Sequence, residues 1–245
     1  MFIYLHKFAN PTRFLKVAMP IKKISGFLSI LIILIGLIFA LFFSPPDYQQ
    51  KETVRIMYIH VPCAWMSLMT YSFIFFTSIF FLIWKFPLFL LMAKESVTIG
   101  IIFTFSTLLS GALWGKPTWG TYWVWDARLT SFLILFFIFL GLKLIKDTFS
   151  YSSKGDSIFS YLAVIGGVNL PIIKFSVDWW NTLHQPASIL RTGGISISNE
   201  MLLPLFLMAI GFLLLFTYAL LVSVEIKIKE KKIIFLRNDR SRNNA

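Results

Sequence analysis

The sequence contains very few of the residues that carry thiol, metal or nucleotide chemistry. Its 245 residues include one cysteine and three histidines, and only 14% of the side chains are charged. The single cysteine, Cys63, excludes an intramolecular disulfide and every motif that needs two cysteines. No Walker A glycine loop is present, so we expect no ATP hydrolysis by this chain. These absences predict a binding or transfer protein rather than an enzyme.

Long apolar segments account for most of the chain. Hydrophobic residues make up 57% of it, and its mean hydropathy of +0.76 is too high for a soluble domain of this size. Six segments approach the ~20 residues that a helix needs to cross a bilayer. They cover residues 24–43, 61–84, 97–113, 129–145, 157–173 and 201–224. A membrane span must pair its backbone polar groups internally, so the sequence predicts an all-α membrane protein with six transmembrane helices.

The fifth segment differs from the others because it contains residues that interrupt helices. They are Gly166, Gly167, Asn169 and Pro171. We expect this helix to be kinked or partly buried against its neighbours. No acidic or basic residue lies in the middle of any of the six segments, which disfavours an ion pump or a proton-coupled transporter.

Basic residues are distributed unequally between the two sides of these segments. Of the 23 lysines and arginines, 17 fall in the termini and in the second and fourth loops, and six fall in the first, third and fifth loops. Positive charge favours the cytoplasmic side, so both termini are predicted to be cytoplasmic and the other three loops periplasmic. The net charge of +12 then reflects topology and attraction to anionic lipid, and no nucleic-acid motif accompanies it.

The six segments divide the chain into three parts. We expect a basic cytoplasmic N-terminal tail at residues 1–23, a six-helix transmembrane domain at 24–224 and a basic cytoplasmic C-terminal tail at 225–245. The C-terminal tail is predicted to extend the last helix into solvent or to be disordered. No internal repeat is detectable, so an inverted-repeat transporter is not indicated.

The third loop is rich in tryptophan. Residues 114–131 read WGKPTWGTYWVWDARLTS and hold four of the eight tryptophans of the chain, at Trp114, Trp119, Trp123 and Trp125. Tryptophan gathers at membrane interfaces, which is the simpler explanation for such residues. So many large rings in one loop also need a partner, which is lipid, another subunit or a planar apolar ligand.

Two histidines lie on the same predicted side as this loop. His60 belongs to YIHVPCAW at the outer end of the second span, and His184 belongs to WWNTLHQPAS in the fifth loop. Imidazole is a common ligand of haem iron, and two imidazoles flanking a flat aromatic surface suit a haem. From the pattern alone, an interfacial anchor or a hydrogen-bonded histidine remains the alternative.

Four charged residues near these groups are candidates for supporting roles. Asp126 and Arg128 follow the tryptophans, and ionisable groups at a membrane edge often pair with each other. The alternative is that Arg128, with Arg55 or Lys116, contacts haem propionates through charge-assisted hydrogen bonds. Asp126 would then orient Arg128 or the N–H group of a tryptophan.

The residues now quoted resemble a known family. The tryptophan segment is similar to the signature of the WWD superfamily of haem-handling proteins, and YIHVP, WWNTLHQP and the six spans narrow the resemblance to the CcmC family of the cytochrome c maturation system. The resemblance implies that haem b is bound transiently, with His60 and His184 as its two axial ligands and no other metal. It also implies that the haem site is lined by Trp114, Trp119, Trp123 and Trp125, with Asp126 and Arg128 nearby.

The resemblance also implies a set of partners and a place in the cell. Haem would be bound at the periplasmic face and delivered to the haem chaperone CcmE, for the assembly of c-type cytochromes. The ABC transporter formed by CcmA and CcmB, and the small protein CcmD, would join the complex. The expected location is a bacterial inner membrane, with the mitochondrial inner membrane as the alternative.

Two other functions remain open at this point. A cytochrome c synthase or haem lyase component of the same superfamily would generally be larger and have more histidines. A membrane b-type cytochrome that oxidises quinol would need histidine pairs inside its helices. No such pair occurs in these six segments.

Overall fold

The fold is all-helical within the part of the chain that the computed structural model describes, which is residues 11–149, 152–184, 194 and 197–243. The α-helices are α1 (Pro11–Ile38), α2 (Met57–Trp84), α3 (Pro87–Trp119), α4 (Ala127–Thr148), α5 (Ser153–Gly166), α6 (Asn169–Trp179) and α7 (Asn199–Asn243). A π-helical segment, Phe39–Phe43, ends the first span, and a short 3-10 helix, Glu52–Ile56, precedes α2. No β-strand occurs in these ranges.

All six predicted spans are confirmed as helices that are long and apolar enough to cross a membrane. They cover Arg13–Phe43, Glu52–Trp84, Pro87–Trp119, Ala127–Thr148, Ser153–Trp179 and Asn199–Arg240. Successive spans alternate in direction. The first loop, the segment between α3 and α4, and the residues that follow α6 as far as His184 therefore lie at one end of the bundle. We call this the outer end, because it carries fewer basic residues.

Two helices extend beyond the predicted spans. Helix α1 begins at Pro11, within the N-terminal tail expected at 1–23, and α7 continues to Asn243, which is one of the two forms expected for the C-terminal tail at 225–245. Residues 1–10 and 244–245 lie outside the described part. The tryptophan segment, expected as a loop over 114–131, is helical as far as Trp119 and again from Ala127. Only residues 120–126 link the two helices, so much of the aromatic surface is built on a rigid helix.

The predicted interruption of the fifth span is present. Helix α5 ends at Gly166, and α6 begins at Asn169. The backbone groups at the break pair locally, since the N–H groups of Gly167 and Val168 donate to the oxygens of Val164 and Ile165. The side-chain amide of Asn169 donates a 2.9 Å hydrogen bond to the backbone oxygen of Ser131 in α4. The break therefore fixes α6 against α4 and positions the segment that follows α6.

Glycines allow close approach between the spans. A Cβ atom on Gly100 of α3 would lie 2.1 Å from Phe139 Cε1 in α4, and one on Gly166 would lie 2.1 Å from the hydroxyl oxygen of Tyr71. Membrane helices associate through such close packing, because lipid offers little hydrophobic driving force between them. The buried cluster around Tyr71 and Phe139 joins α2 to α6 into one core.

Ion pairs concentrate at the inner end of the bundle. Lys22 of α1 pairs with Glu225 of α7, and Lys146 of α4 lies 3.0 Å from Glu95 of α3. Lys94 also pairs with Asp156. These pairs join helices that the sequence predicts to meet on the basic side, so charges near the membrane are neutralised between neighbours.

We expect Gly100→Ala to destabilise the fold relative to Gly141→Ala. Both changes give the same gain in helix propensity. The Cβ atom on Gly141 would meet only Leu162 Cδ2, at 3.9 Å, whereas the one on Gly100 would clash with buried Phe139. Overpacking of this kind costs about 1–3 kcal/mol. Thermal unfolding of the two variants in the same detergent measures the difference, and equal melting temperatures would contradict the packing described above.

Candidate functional site

A crevice at the outer end of the bundle brings together most of the predicted site residues. It has an empty volume of about 490 Å³ and is open on one side. Its lining comes from α2, α3, α4 and the two outer segments that carry Trp123 and His184. The lining residues are His60, Ala64, Thr107, Leu108, Gly111, Ala112, Trp119, Trp123, Arg128, Leu129, Phe132 and His184. The walls are thus mainly apolar, and two imidazoles and one guanidinium supply most of the polar character.

His60 lies in the first turn of α2, and its ring is oriented by α3. Its Nδ1 atom is 3.1 Å from the backbone oxygen of Thr107 and 3.1 Å from the hydroxyl of Ser110. The hydroxyl of Ser110 donates to the backbone oxygen of Ser106 at 2.6 Å, so it accepts at His60. A carbonyl can only accept, so Nδ1 carries the proton and Nε2 keeps its lone pair. His60 is therefore in the tautomer that leaves Nε2 able to ligate a metal.

The space beside His60 exists because residue 111 is a glycine. A Cβ atom on Gly111 would lie 2.9 Å from His60 Cε1. On another side, the ring of Trp114 meets the imidazole edge to face, with 5.6 Å between the ring centroids. The indole N–H of Trp114 donates to the side chain of Gln50 at 2.9 Å, which ties the first outer loop to this wall. His60 is thus enclosed by α3 and by a tryptophan that the first loop supports.

His184 reaches the same crevice from the segment after α6. Its Nδ1 atom lies 3.3 Å from Asp126 Oδ2, and its backbone N–H donates to the hydroxyl of Thr182 at 3.1 Å. Trp119 meets the imidazole edge to face, with 4.9 Å between centroids. An ionised carboxylate only accepts, so here too Nδ1 is the donor and Nε2 keeps its lone pair. Both histidines present the same nitrogen for ligation.

Asp126 connects the start of α4 with the segment that carries His184. It is only 8% exposed and caps α4 by accepting a 2.8 Å hydrogen bond from the backbone N–H of Leu129. The hydroxyl of Thr182 also donates to it. Burial raises the pKa of Asp126, but the hydrogen bonds from Leu129, Thr182 and His184 outweigh burial and bring this pKa below its ordinary value. The carboxylate is therefore ionised at neutral pH.

The charge state of His184 follows from two opposed influences. Burial lowers the pKa of the imidazole, and the Asp126 carboxylate raises it without fully compensating. The charge of Arg128 adds to the lowering. The net pKa lies below the ordinary histidine value, so His184 is mainly neutral at pH 7. A neutral imidazole is the form that binds iron.

Arg128 lines the crevice. It does not hydrogen-bond to Asp126, although a pair between these two residues was one of the expectations from the sequence. Its Nε donates to the hydroxyl of Ser176 at 3.2 Å, and its Nη2 donates to the backbone oxygens of Ile173 and Lys174 at 3.3 and 3.5 Å. The ends of α4 and α6 are thereby joined. Asp126 accepts from Leu129, Thr182 and His184, and within the described residues it makes no hydrogen bond to Arg128 or to a tryptophan N–H. Among the described residues these contacts leave Nη1 of Arg128 for another acceptor.

The four predicted tryptophans take different positions. Trp119 and Trp123 line the crevice, whereas Trp114 lies behind His60 and contacts its ring. Trp125 is 76% exposed and packs its ring against Trp123, with 5.5 Å between centroids. The Nε1 atom of Trp123 is buried and has no hydrogen-bond partner in the described part of the chain. A buried indole N–H normally finds one, so this donor is left unsatisfied in the structure.

The two other predicted propionate contacts do not line the crevice. Arg55 donates to the carboxylate of Glu52 and to two backbone carbonyls in the π-helical end of the first span. Lys116 donates to the backbone oxygen of Gly120 at 3.0 Å and lies over the ring of Tyr122 at 5.3 Å. Each cation is satisfied by its local loop, which a linear sequence does not reveal. Arg128 is the predicted cation that reaches the site.

Sequence reasoning missed the groups that orient the two histidines. Thr107 acts through its backbone oxygen, which any residue at that position would provide, so it leaves no signal in the sequence. Thr182 and Gly111 are recognisable only after the spans are packed. The Thr-x-His spacing at 182–184 is the one local hint, because a threonine hydroxyl two residues before a backbone N–H forms a common turn.

A second cavity lies at the inner end. This groove, of about 570 Å³, is lined by apolar residues of α1, α3 and α7 and by Phe86. It offers no ligating or charged group, so the outer crevice is the only one of the two with the chemistry of a metal-binding site.

Known proteins resemble this chain along nearly its whole length. The family model described as "Heme exporter protein C" matches residues 4–238. The heme exporter protein C of Bradyrhizobium diazoefficiens is 46% identical over 225 residues, which cover 92% of this chain and 85% of that protein. The protein of the same name in Haemophilus influenzae is 40% identical over 228 residues, 93% of each chain. A "Putative cytochrome c biosynthesis ccmC-like mitochondrial protein" of Marchantia polymorpha is 53% identical over 172 residues, 70% of this chain and 72% of that protein.

We expect Asp126→Ala to be less stable than Asp126→Asn. Asparagine can still cap α4 through its side-chain oxygen, whereas alanine removes the cap. Both changes remove the second oxygen, which accepts from Thr182 and His184. Loss of a helix cap costs about 0.5–2 kcal/mol. Thermal unfolding of both variants in detergent tests this. If alanine and asparagine melted together, the carboxylate would have no capping role.

Proposed function

The chain belongs to the heme exporter protein C (CcmC) family, and we propose that it binds haem b between His60 and His184 and delivers it to the haem chaperone CcmE. Membership in this family gives the chain a role in haem handling for cytochrome c maturation. The observation that carries the specific proposal is that both imidazoles line one apolar crevice with Nδ1 engaged and Nε2 unprotonated.

The types of residue that line the crevice are those that suit haem binding. Haem iron takes one or two axial imidazoles, and the hydrogen bonds at Nδ1 fix which nitrogen each ring offers. Trp119 and Trp123 provide aromatic walls beside the two rings. Bound haem would supply the iron to which His60 and His184 coordinate. The protein supplies the ligands, their orientation and an environment that excludes water from part of the site.

The polar end of the haem also has a natural place here. Propionates are carboxylates, and two donors of the crevice lining, Nη1 of Arg128 and the unpartnered Nε1–H of Trp123, suit them. Guanidinium groups bind carboxylates through charge-assisted hydrogen bonds. We infer that these two donors, rather than Arg55 or Lys116, contact the propionates.

A carrier must bind its cargo firmly and also release it. In this crevice one ligand stands on a membrane helix, and the other stands on the segment between α6 and α7. Displacing the His184 segment would open one face of the crevice without unpacking the helices. This arrangement suits transfer to a partner better than a site enclosed by four helices would.

The proposal places the chain in a larger assembly. CcmE would take haem at the outer end, and CcmA, CcmB and CcmD would join the complex within and beneath the membrane. The relatives include heme exporter proteins of bacteria and ccmC-like mitochondrial proteins of plants. A bacterial inner membrane is the location that we propose, with the mitochondrial inner membrane as the alternative.

A quinol-oxidising b-type cytochrome is the rival of a different class. It would stack haems between histidine pairs deep inside its helices. Of the two histidines in the described residues, His60 lies at the outer end of α2 and His184 lies outside the helices. An absorption spectrum of the purified complex separates the two functions, because a carrier holds substoichiometric, exchangeable haem and a cytochrome holds a tightly bound redox pair.

We expect His60→Ala and His184→Ala each to abolish stable trapping of haem in a complex with CcmE. Removal of either imidazole leaves the iron with one axial ligand from this chain. Haem stain and absorption spectra of the co-purified complex provide the measurement. His6→Ala is the matched control, because His6 belongs to the N-terminal tail, and it should load normally. Loading at the wild-type level in both outer variants would refute the ligand assignment.

We expect Trp119→Ala to reduce haem retention much more than Trp125→Ala. Trp119 lines the crevice and supports the ring of His184, whereas Trp125 is mostly exposed at the rim. Each variant should still insert into the membrane, and the double variant should also weaken capture of CcmE. The haem content per protein after purification is the readout. Haem content at the wild-type level in the double variant would show that the tryptophans act only as a membrane anchor.

A further inference from the structure

The two histidines differ in what accepts the hydrogen bond from Nδ1. His184 donates to a buried carboxylate, whereas His60 meets a carbonyl oxygen and a hydroxyl. We propose that Asp126 is a positioning residue that makes His184 the stronger of the two iron ligands, so that the two axial bonds to haem are unequal. This inference rests on the proposed function, because it assumes that both histidines bind the same iron.

The carboxylate is well placed for this role because it is fixed on three sides. One oxygen accepts from the backbone N–H of Leu129 at 2.8 Å. The other accepts from Thr182 and from His184. The hydroxyl of Thr182 in turn accepts from the backbone N–H of His184 at 3.1 Å. These bonds form a closed ring, and the ring sets both the position of the segment and the rotation of the imidazole.

His60 has no comparable partner among the described residues. Its Nδ1 shares its proton between Thr107 and Ser110, both 3.1 Å away and both uncharged. Its orientation comes from packing, since Gly111 and Trp114 confine the ring. His60 is thus placed as firmly as His184, but its nitrogen receives no electron density from an anion.

A carboxylate that accepts from Nδ1–H increases the basicity of a histidine ligand. A more basic ligand donates more charge to the iron and favours the ferric over the ferrous state. The reduction potential of bound haem therefore reports on the Asp126 hydrogen bond, whereas a purely structural role in capping α4 would leave it unchanged. His60, whose Nδ1 meets only uncharged acceptors, would then hold the haem iron less firmly than His184.

The test compares haem-loaded wild type with Asp126→Asn and Ser110→Ala, purified in detergent. Asparagine keeps the size of residue 126 and the oxygen that caps α4. It replaces the oxygen that accepts from His184 with an amide N–H that can only donate, so it removes both the negative charge and the hydrogen bond from Nδ1. Ser110→Ala is the matched control, because it removes one uncharged acceptor from His60 and leaves Thr107. We expect the reduction potential to rise in Asp126→Asn and to change much less in Ser110→Ala. An unchanged potential in Asp126→Asn, or equal shifts in the two variants, would overturn the inference.

A second measurement assigns the effect to one ligand. Cavity variants His60→Gly and His184→Gly are loaded with haem in the presence of 1-methylimidazole, each with and without Asp126→Asn. The rise caused by Asp126→Asn should persist in His60→Gly and disappear in His184→Gly, because 1-methylimidazole has no N–H to donate to Asp126. The opposite pattern would assign the effect to His60. If wild type showed no six-coordinate haem, the proposed function itself would fail, which is a different result from an unshifted potential.

Discussion

The carboxylate of Asp126 is the group on which the geometry of the site most depends. It ends the link between α3 and α4, begins α4 as its cap, and holds the segment that brings in His184. Burying an anion is costly unless it is fully hydrogen-bonded, and here three donors surround it. The same residue therefore solves a folding problem at the start of a membrane helix and fixes a ligand that no helix carries.

The rest of the bundle provides the rigid frame that this ring of hydrogen bonds needs. Arg128 joins the start of α4 to the end of α6, and Asn169 joins the break in the fifth span to α4. Because α6 is short and tied at both ends, the segment after it leaves the membrane close to the tryptophans. The inner ion pairs close the opposite end of the bundle. The crevice thus has walls from the packed helices α2, α3 and α4, and another wall from the non-helical segment that carries His184.

The large features of this arrangement were accessible from the sequence. Apolar segment lengths predicted six helices, and the alternation of the spans placed both histidines and the tryptophans at one end. The glycines and Asn169 predicted the interrupted fifth span. The continuation of α3 to Trp119 was missed because Gly115 and Pro117 resemble loop residues. His184, which Asp126 orients, lies 58 positions away in the chain. Only the packing of the spans brings these two residues together.

The course of α3 has a geometric consequence for the crevice. Trp114 and Trp119 are five residues apart on one continuous helix, so they are separated by about 7.5 Å along its axis and point in different directions. One ring touches His60 and the other touches His184. The fixed pitch of α3 therefore sets the spacing between the two tryptophans that contact the imidazoles. Inserting or deleting one residue between them would rotate one indole ring away from its histidine.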